Sequence, residues 1–193
     1  MNEEQKIIQK YFLPIANNLE SLQLSNDAAF INKQQKMVIS SDMMIEDIHF
    51  DKLDDPFCLA QKLLRVNLSD IAAMGAEPYG YTLNLSIPKL NHESWLKKFC
   101  KGLAKDTKKF NLKLFGGDLG SSKNIFMSVT ILGLVSKKFH KKMTAHEGSE
   151  IFVSDTLGDA GIGLQIKKGK FSKLKKSEKK FFLSKFNTPL PQI

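Results

Sequence analysis

The chain has 193 residues, of which 42% are hydrophobic and 25% are charged, and it carries a formal net charge of +9. This length and composition are typical of a globular protein with one large domain, or with one domain and part of another. No apolar run approaches the ~20 residues that a membrane span needs, and the acidic start MNEEQKIIQK is unlike a signal peptide. Cys58 and Cys100 form neither a metal motif nor a disulfide framework. We therefore expect a cytoplasmic protein without a membrane partner.

Helix and strand patterns alternate in the first half of the chain. Helices are predicted over 3–19 and from Asp55 towards Gly75, and strands over 28–31, 36–40 and 80–87. Asp55 is a good helix cap and Pro56 fits the first helical turn, whereas Pro14 disturbs the first helix.

The second half continues the alternation and then changes character. A helix is predicted over 92–109, strands over 112–115, 125–135 and 150–154, a glycine-rich turn over 155–163, and lysine-rich helices after it. The polar stretch 137–142 separates two parts. We therefore predict an α/β first domain over 1–137 and, over 143–193, the beginning of a second domain that is too short to close a core of its own.

The positive charge is concentrated at the C-terminal end. Residues 165–193 contain nine lysines and one glutamate, a net charge of +8, which leaves +1 for residues 1–164. Arg65 is the only arginine, whereas proteins that read bases and phosphates favour arginine. We interpret the lysines as the solvated surface of helices, and we expect no nucleic-acid partner.

Four aspartates occur at predicted strand ends, in turns or in an apolar helix: Asp27, Asp42, Asp70 and Asp118. Taken singly, Asp27, Asp42 and Asp118 are also consistent with turn, strand-end or hairpin residues. Asp70, in contrast, lies in the middle of an apolar helical pattern. Carboxylates together with the hydroxyls of Ser40 and Ser41 are the hard oxygen ligands that Mg²⁺ prefers. The Gly116-Gly117 pair would let the backbone approach a phosphate. The chain has no P-loop and no GxGxxG motif, so the set indicates another kind of magnesium-assisted nucleotide site.

Four motifs occur in a familiar order: VISSDMMIEDIHF, KLLRVNLSDIAAMGAEPYGYTLNLSIP, LFGGDLG and IFVSDTLGDAGIGL. With them the chain resembles the thiamine-monophosphate kinase family, in the superfamily that also holds aminoimidazole ribonucleotide synthetase and selenophosphate synthetase. The resemblance implies an α/β fold, with a mixed sheet backed by helices and followed by an incomplete second α/β domain. It also implies a homodimer that transfers the γ-phosphoryl group of ATP to thiamine monophosphate with the help of several Mg²⁺ ions.

The same resemblance implies roles for individual residues. The positions that match the family's metal ligands are Asp27, Ser40, Ser41, Asp42, Asp70 and Asp118. His49 matches a contact to thiamine monophosphate, and Gly117 with Asp118 matches an ATP contact. Lys142 stands where the family usually has an arginine near ATP, so it keeps the charge but not the two-pronged geometry.

Three departures from the family pattern leave alternatives open. Ser25-Asn26 replaces Gly-Asp before Asp27, Asp155 replaces a glycine, and a later aspartate-rich motif is absent from the sequence. We therefore expect this chain alone to turn over poorly or not at all. The alternatives are a sister ATP-dependent synthetase of the superfamily and a non-catalytic, truncated remnant.

Overall fold

The computed structural model describes residues 3–88, 93–136 and 138–193. Its helices are α1 (Glu3–Ile7, continued by a π-helical turn over Ile8–Phe12), α2 (Pro56–Ala73), α3 (Glu93–Lys109), α4 (Asp159–Lys167) and α5 (Lys176–Asn187). Its strands are β1 (Met37–Ile45), β2 (Glu77–Ile87), β3 (Lys113–Ser121) and β4 (Phe126–Leu134). None of the described helices combines the length and the apolar character needed to cross a membrane.

The four strands form one mixed sheet in the order β1-β4-β2-β3. Strand β4 pairs antiparallel with both β1 and β2, whereas β2 and β3 are parallel and are connected through α3. A register shift places Tyr81 opposite Leu114 but Thr82 opposite Gly116, so Phe115 forms a bulge in β3. The predicted α/β class with a mixed sheet backed by helices is confirmed.

The core lies between the sheet and α2 and α3. Alternate residues of β4, Met127, Val129 and Ile131, are fully buried, as the two-residue period of a strand with one buried face requires. Leu63 and Leu68 of α2 are buried with them. On the opposite side of the sheet, which we call the open face, β1 carries Met37, Ile39, Ser41 and Met43, and Ile39 is 68% exposed.

Helix α2 begins where its sequence predicts. Asp55 has extended backbone angles, and its side chain accepts a hydrogen bond from the Phe57 N–H, with Pro56 in the first turn. The helix ends before Gly75, which has a φ of +66°. Local sequence signals thus place the helix that carries Asp70.

Several predicted boundaries were wrong. Residues 28–31 form no strand, because the Phe30 N–H donates to the Glu20 carbonyl oxygen instead of to a neighbouring strand. Residues 150–154 also lie outside any strand, and Phe152 is 85% exposed. The helix predicted over 3–19 ends much earlier, and the turn predicted over 155–163 already contains the first residues of α4. His92, the first residue of the predicted third helix, lies outside the described residues.

The C-terminal helices pack against each other and contact α2. Gly163 lies so close to α5 that a Cβ there would be 2.2 Å from the Phe182 carbonyl oxygen. The Arg65 guanidinium donates to the carbonyl oxygens of Thr188 and Pro189 at 3.1 and 3.3 Å. The same guanidinium donates to the fully buried Asp106 carboxylate of α3, with Nη2 at 3.0 Å from Oδ1. One buried ion pair therefore joins α2, α3 and the segment after α5.

Candidate functional site

Strand β1 and helix α2 bring three of the predicted residues close together. The Ser40 hydroxyl donates to Asp70 Oδ2 at 2.6 Å. The backbone N–H of Asp42 donates to Asn67 Oδ1 at 3.0 Å. Asn67 is completely buried, and its Nδ2 donates to the Leu63 carbonyl oxygen one helical turn earlier. The α2 side chains therefore fix Ser40 and Asp42 relative to Asp70.

Ser41 lies on the other side of the same strand. Its hydroxyl donates to the Val129 carbonyl oxygen at 3.0 Å and lies 3.1 Å from Thr130 Oγ1. Since successive strand residues face opposite sides, the Ser41 side chain belongs to the open face. The sequence had predicted that Asp42 follows the strand. In the structure, Asp42 lies within β1.

The glycine pair lies at the other edge of the sheet. Gly117 pairs with Leu83 of β2, and a Cβ on Gly117 would be only 1.7 Å from the Leu83 carbonyl oxygen. Asp118 comes next in β3, is exposed and pairs with Asn84. Both residues therefore lie inside a strand, whereas the sequence had placed them after one.

A cavity of about 710 Å³ opens beside this edge. Asp27, Asn84, Gly117 and Asp118 are among the residues that line it, and Leu24 and Leu132 contribute apolar surface. Apolar walls with a few polar groups are typical of a small-molecule site, and the carboxylates could hold the Mg²⁺ that accompanies a nucleotide's phosphates. The structure thus brings Asp27 to the glycine pair, although the two are far apart in sequence.

The segment that carries Asp27 is attached to β3 by two polar side chains. Asn18 Nδ2 donates to the Leu114 carbonyl oxygen at 2.9 Å. Glu20 Oε1 accepts from the Tyr79 hydroxyl at 2.6 Å and forms an ion pair with Lys113. Burial raises the pKa of Glu20, but the hydrogen bonds from Lys113 and Tyr79 outweigh it and hold the pKa below its ordinary value of 4.5. Burial, together with the Glu20 charge, raises the pKa of Tyr79 to about 12.

We predict that the Glu20 contacts make the stability of this edge dependent on acid pH. Because the folded-state pKa of Glu20 is lowered, its contribution is complete above the ordinary value of 4.5 and is lost as the pH falls through the folded-state pKa. E20Q should lower the free energy of unfolding at pH 7 by about 1–2 kcal/mol and flatten its decline below pH 4.5. Urea unfolding at a series of pH values measures this, with E77Q of an exposed glutamate as the control. Equal pH profiles for E20Q and the unaltered chain would contradict it.

The two remaining predicted residues lie elsewhere. His49 follows β1, and its Nδ1 accepts a hydrogen bond from the Ile45 N–H at 3.1 Å. Lys142 is exposed in a 3-10 turn over Lys142–Thr144. Two residues before it, the His140 N–H donates to the Met74 carbonyl oxygen at 3.0 Å, so this turn follows a contact with the end of α2.

The predicted metal ligands form two separate groups. Asp42 is opposite Val129, Val129 is opposite Leu83, and Leu83 is opposite Gly117, which makes three strand spacings, or roughly 14 Å at about 4.8 Å each. Within the described part of the chain, no three or more His, Cys, Asp or Glu side chains are arranged to hold a metal ion. The donor chemistry of each group nevertheless fits Mg²⁺, since Ser40, Asp42 and Asp70, like Asp27 and Asp118, offer oxygen ligands.

Sequence reasoning missed two residues that organise these groups. Asn67 was read only as part of a helix, although an amide three residues before Asp70 in an apolar pattern signals a polar contact. Glu20 gave no local signal, because its partners Tyr79 and Lys113 are 59 and 93 residues away in sequence.

Residues 25–135 match the family described as AIR synthase related protein, N-terminal domain. The chain belongs to this family, whose region includes the whole sheet and both groups of acidic residues. The match ends at residue 135, just before the polar stretch 137–142.

More specific similarity is to thiamine-monophosphate kinases. The chain is 35% identical to the thiamine-monophosphate kinase of Haemophilus influenzae over 195 residues. This alignment covers 97% of this chain and 58% of the relative. The chain is 33% identical to the thiamine-monophosphate kinase of Buchnera aphidicola from Acyrthosiphon pisum over 197 residues, an alignment that covers 98% of this chain and 60% of the relative. A crystal structure of thiamine-monophosphate kinase from Stenotrophomonas maltophilia matches with a TM-score of 0.81 and 28% identity, over 97% of this chain and 60% of that one. The chain thus spans about three fifths of the length of these relatives.

Proposed function

We propose that this chain serves in a thiamine-monophosphate kinase reaction, in which ATP and thiamine monophosphate give ADP and thiamine diphosphate. An oxygen of the acceptor monophosphate forms a bond to the γ-phosphorus of ATP, and the bond from that phosphorus to the β,γ-bridging oxygen breaks. The observation that carries the proposal is the cavity that joins Asp27, Gly117 and Asp118 on a sheet of this family. The names of the relatives supply the substrate.

The chain's own residues would bind and align two negatively charged substrates. Gly117 lines the cavity and would present its backbone to a phosphate. Asp27 and Asp118 near one edge of the sheet, and Ser40, Ser41, Asp42 and Asp70 near the other, would hold Mg²⁺. When bound, Mg²⁺ neutralises the repulsion between the two phosphate groups. No protein nucleophile is needed, since the acceptor phosphate itself attacks.

We assign His49 to the acceptor substrate and Lys142 to ATP in the same proposal. His49 lies at the end of the strand that carries Asp42, and its ring offers a hydrogen-bond donor. Lys142 is exposed and can offer a positive charge to a phosphate. The free Cys58 and Cys100 are consistent with a reaction in the cytoplasm.

The proposal is tested by transfer of labelled γ-phosphate from ATP to thiamine monophosphate. D42N should reduce the transfer by about 100-fold or more, because the proposed Mg²⁺ site would lose one of its carboxylate ligands. The fold should persist, since the contacts of Asp42 to Asn67 and Ser128 use its backbone N–H and C=O. E147Q, at an exposed acid in the region after 143, is the matched control.

The assay should be run on this chain and on this chain joined to the remaining two fifths of the H. influenzae relative. Label in thiamine diphosphate that disappears in D42N would support the kinase. No label with either protein would contradict it and would favour a sister synthetase or a non-catalytic remnant. Transfer by D42N at the unaltered rate would refute the role of Asp42.

We also propose that two copies pair through the open face of the sheet. Met37, Ile39 and Met43 are 41%, 68% and 52% exposed there, and a second copy would remove this apolar surface from water. Light scattering at micromolar concentration should give twice the mass of one chain, and I39K should shift it towards the monomer. A monomer for the unaltered chain would contradict the pairing.

A further inference from the structure

A closed turn follows β1 and carries His49. The Asp47 N–H donates to the Phe50 carbonyl oxygen at 2.9 Å, and the His49 N–H donates to the Ile45 carbonyl oxygen at 2.9 Å. Glu46 and Phe50 form a bridge that closes the turn. Asp47 has a φ of +66°, a left-handed conformation that costs energy in a residue with a side chain. Surrounding contacts must therefore hold this turn in place.

Glu46 supplies such contacts and has no part in the reaction described above. The residue is 6% exposed, although it is an acid. Its Oε2 accepts a hydrogen bond from the Ile125 N–H at 2.7 Å, and its own N–H donates to the Ile125 carbonyl oxygen at 3.0 Å. Ile125 directly precedes β4 and is itself buried. Glu46 therefore attaches the turn to the first residues of the central strand.

The 46–50 turn also determines which ring nitrogen of His49 carries the proton in the neutral imidazole. Because His49 Nδ1 accepts the Ile45 N–H at 3.1 Å, that nitrogen carries no proton, and in the neutral ring the proton lies on Nε2. His49 is exposed. Its Nε2–H is therefore the donor that the ring offers to a ligand.

We propose that Glu46 is a positioning residue, which holds the 46–50 turn so that His49 presents Nε2–H to an anionic oxygen of the acceptor substrate. The part that concerns substrate rests on the proposed function. An anionic phosphate oxygen fits this donor, because hydrogen bonds to charged acceptors are the strong ones. A second donor at Nδ1 is unavailable, so the ring makes one directed contact.

The test measures the His49 tautomer by NMR of the ¹⁵N-labelled chain, in which H49Q identifies the signals of His49 among four histidines. The unaltered chain should carry its proton on Nε2. E46A should give a mixture of the two tautomers and faster hydrogen exchange at the Ile45 amide. E46Q should keep the Nε2–H form, because its amide oxygen can still accept the Ile125 N–H. E147A is the control at an exposed acid.

A further variant keeps the test decisive if E46A does not fold. E46D retains the charge but is shorter by one methylene, so its carboxylate cannot reach the Ile125 N–H without moving the turn. A proton on Nδ1 in the unaltered chain would overturn the proposal, and so would an unchanged tautomer in both E46D and a folded E46A.

Addition of thiamine monophosphate separates this proposal from the proposed function. The Nε2 signal should shift on binding, and where turnover is measurable, E46D should raise KM about tenfold with little change in kcat, the loss expected for one hydrogen bond to a charged group. E46Q should restore KM. Absence of any response to thiamine monophosphate, with the tautomers as expected in every variant, would refute the substrate assignment and leave the positioning role supported.

Discussion

D106L should lower the free energy of unfolding by about 3–5 kcal/mol, because it leaves a buried guanidinium without its counter-charge. Asp106 is completely buried and accepts from Arg65 Nε at 2.5 Å and from Gln61 Nε2 at 2.7 Å. Leucine fills the space but satisfies neither donor. Urea unfolding followed by circular dichroism measures the loss, which corresponds to a drop in Tm of roughly 10 °C for a chain of this size.

The double variant R65M/D106L is the control for this prediction. Replacing both members of a buried ion pair with apolar residues is often neutral, so the double variant should recover much of the stability. Recovery should be incomplete, because R65M also leaves the Thr188 and Pro189 carbonyl oxygens without their donor. If D106L alone unfolds within 1 kcal/mol of the unaltered chain, the network does not stabilise the fold in the way we describe.

G117A should cost about 3 kcal/mol of stability and should weaken the binding of ATP, because β3 must shift at the cavity to admit the new Cβ. A Cβ at this position would be 1.7 Å from the Leu83 carbonyl oxygen, and both atoms belong to paired strands that cannot move independently. Overpacking of this kind usually costs 1–3 kcal/mol, and a backbone obstacle places the cost at the upper end. Calorimetric titration with ATP and urea unfolding measure the two effects.

G161A is the matched control, since no atom within 4 Å would contact its new Cβ. Gly161 lies inside α4, where alanine is favoured over glycine by about 1 kcal/mol. This variant should therefore be slightly stabilised and should leave ATP binding unchanged. Equal stability of G117A and the unaltered chain would show that β2 and β3 separate more easily than the close contact implies.

Capping residues and hydrophobic alternation in the sequence predicted helix α2 and the central strand β2 of the sheet. The Asp55-Pro56 pair placed the start of α2, and alternation over 80–87 placed most of β2, because burial of one sheet face imposes a two-residue period. The apolar stretch 150–154 misled us, since a strand exists only where another strand pairs with it. Residues 28–31 failed for the same reason, because Phe30 bonds to Glu20 instead.

The candidate site was predictable as a list of residue types but not as an arrangement. Asp27 and Asp118 line one cavity, and Ser40 is hydrogen-bonded to Asp70. The residue types alone did not show that these are two separate groups. The separation of Asp42 from Gly117 follows from the strand order, in which β4 and β2 stand between them. Strand order depends on contacts between distant parts of the chain, and no single motif contains it.

The two outer strands of the sheet each have an edge group occupied by an amide side chain of the same chain. On β1, the Asp42 N–H donates to the Asn67 side-chain oxygen. On β3, the Leu114 carbonyl oxygen accepts from the Asn18 side-chain nitrogen. A strand from another molecule would have to displace these amides before it could extend the sheet. The residues that position the acidic side chains thus also occupy one backbone group on each outer strand, which would oppose edge-to-edge aggregation, the hazard that an uncovered outer strand creates.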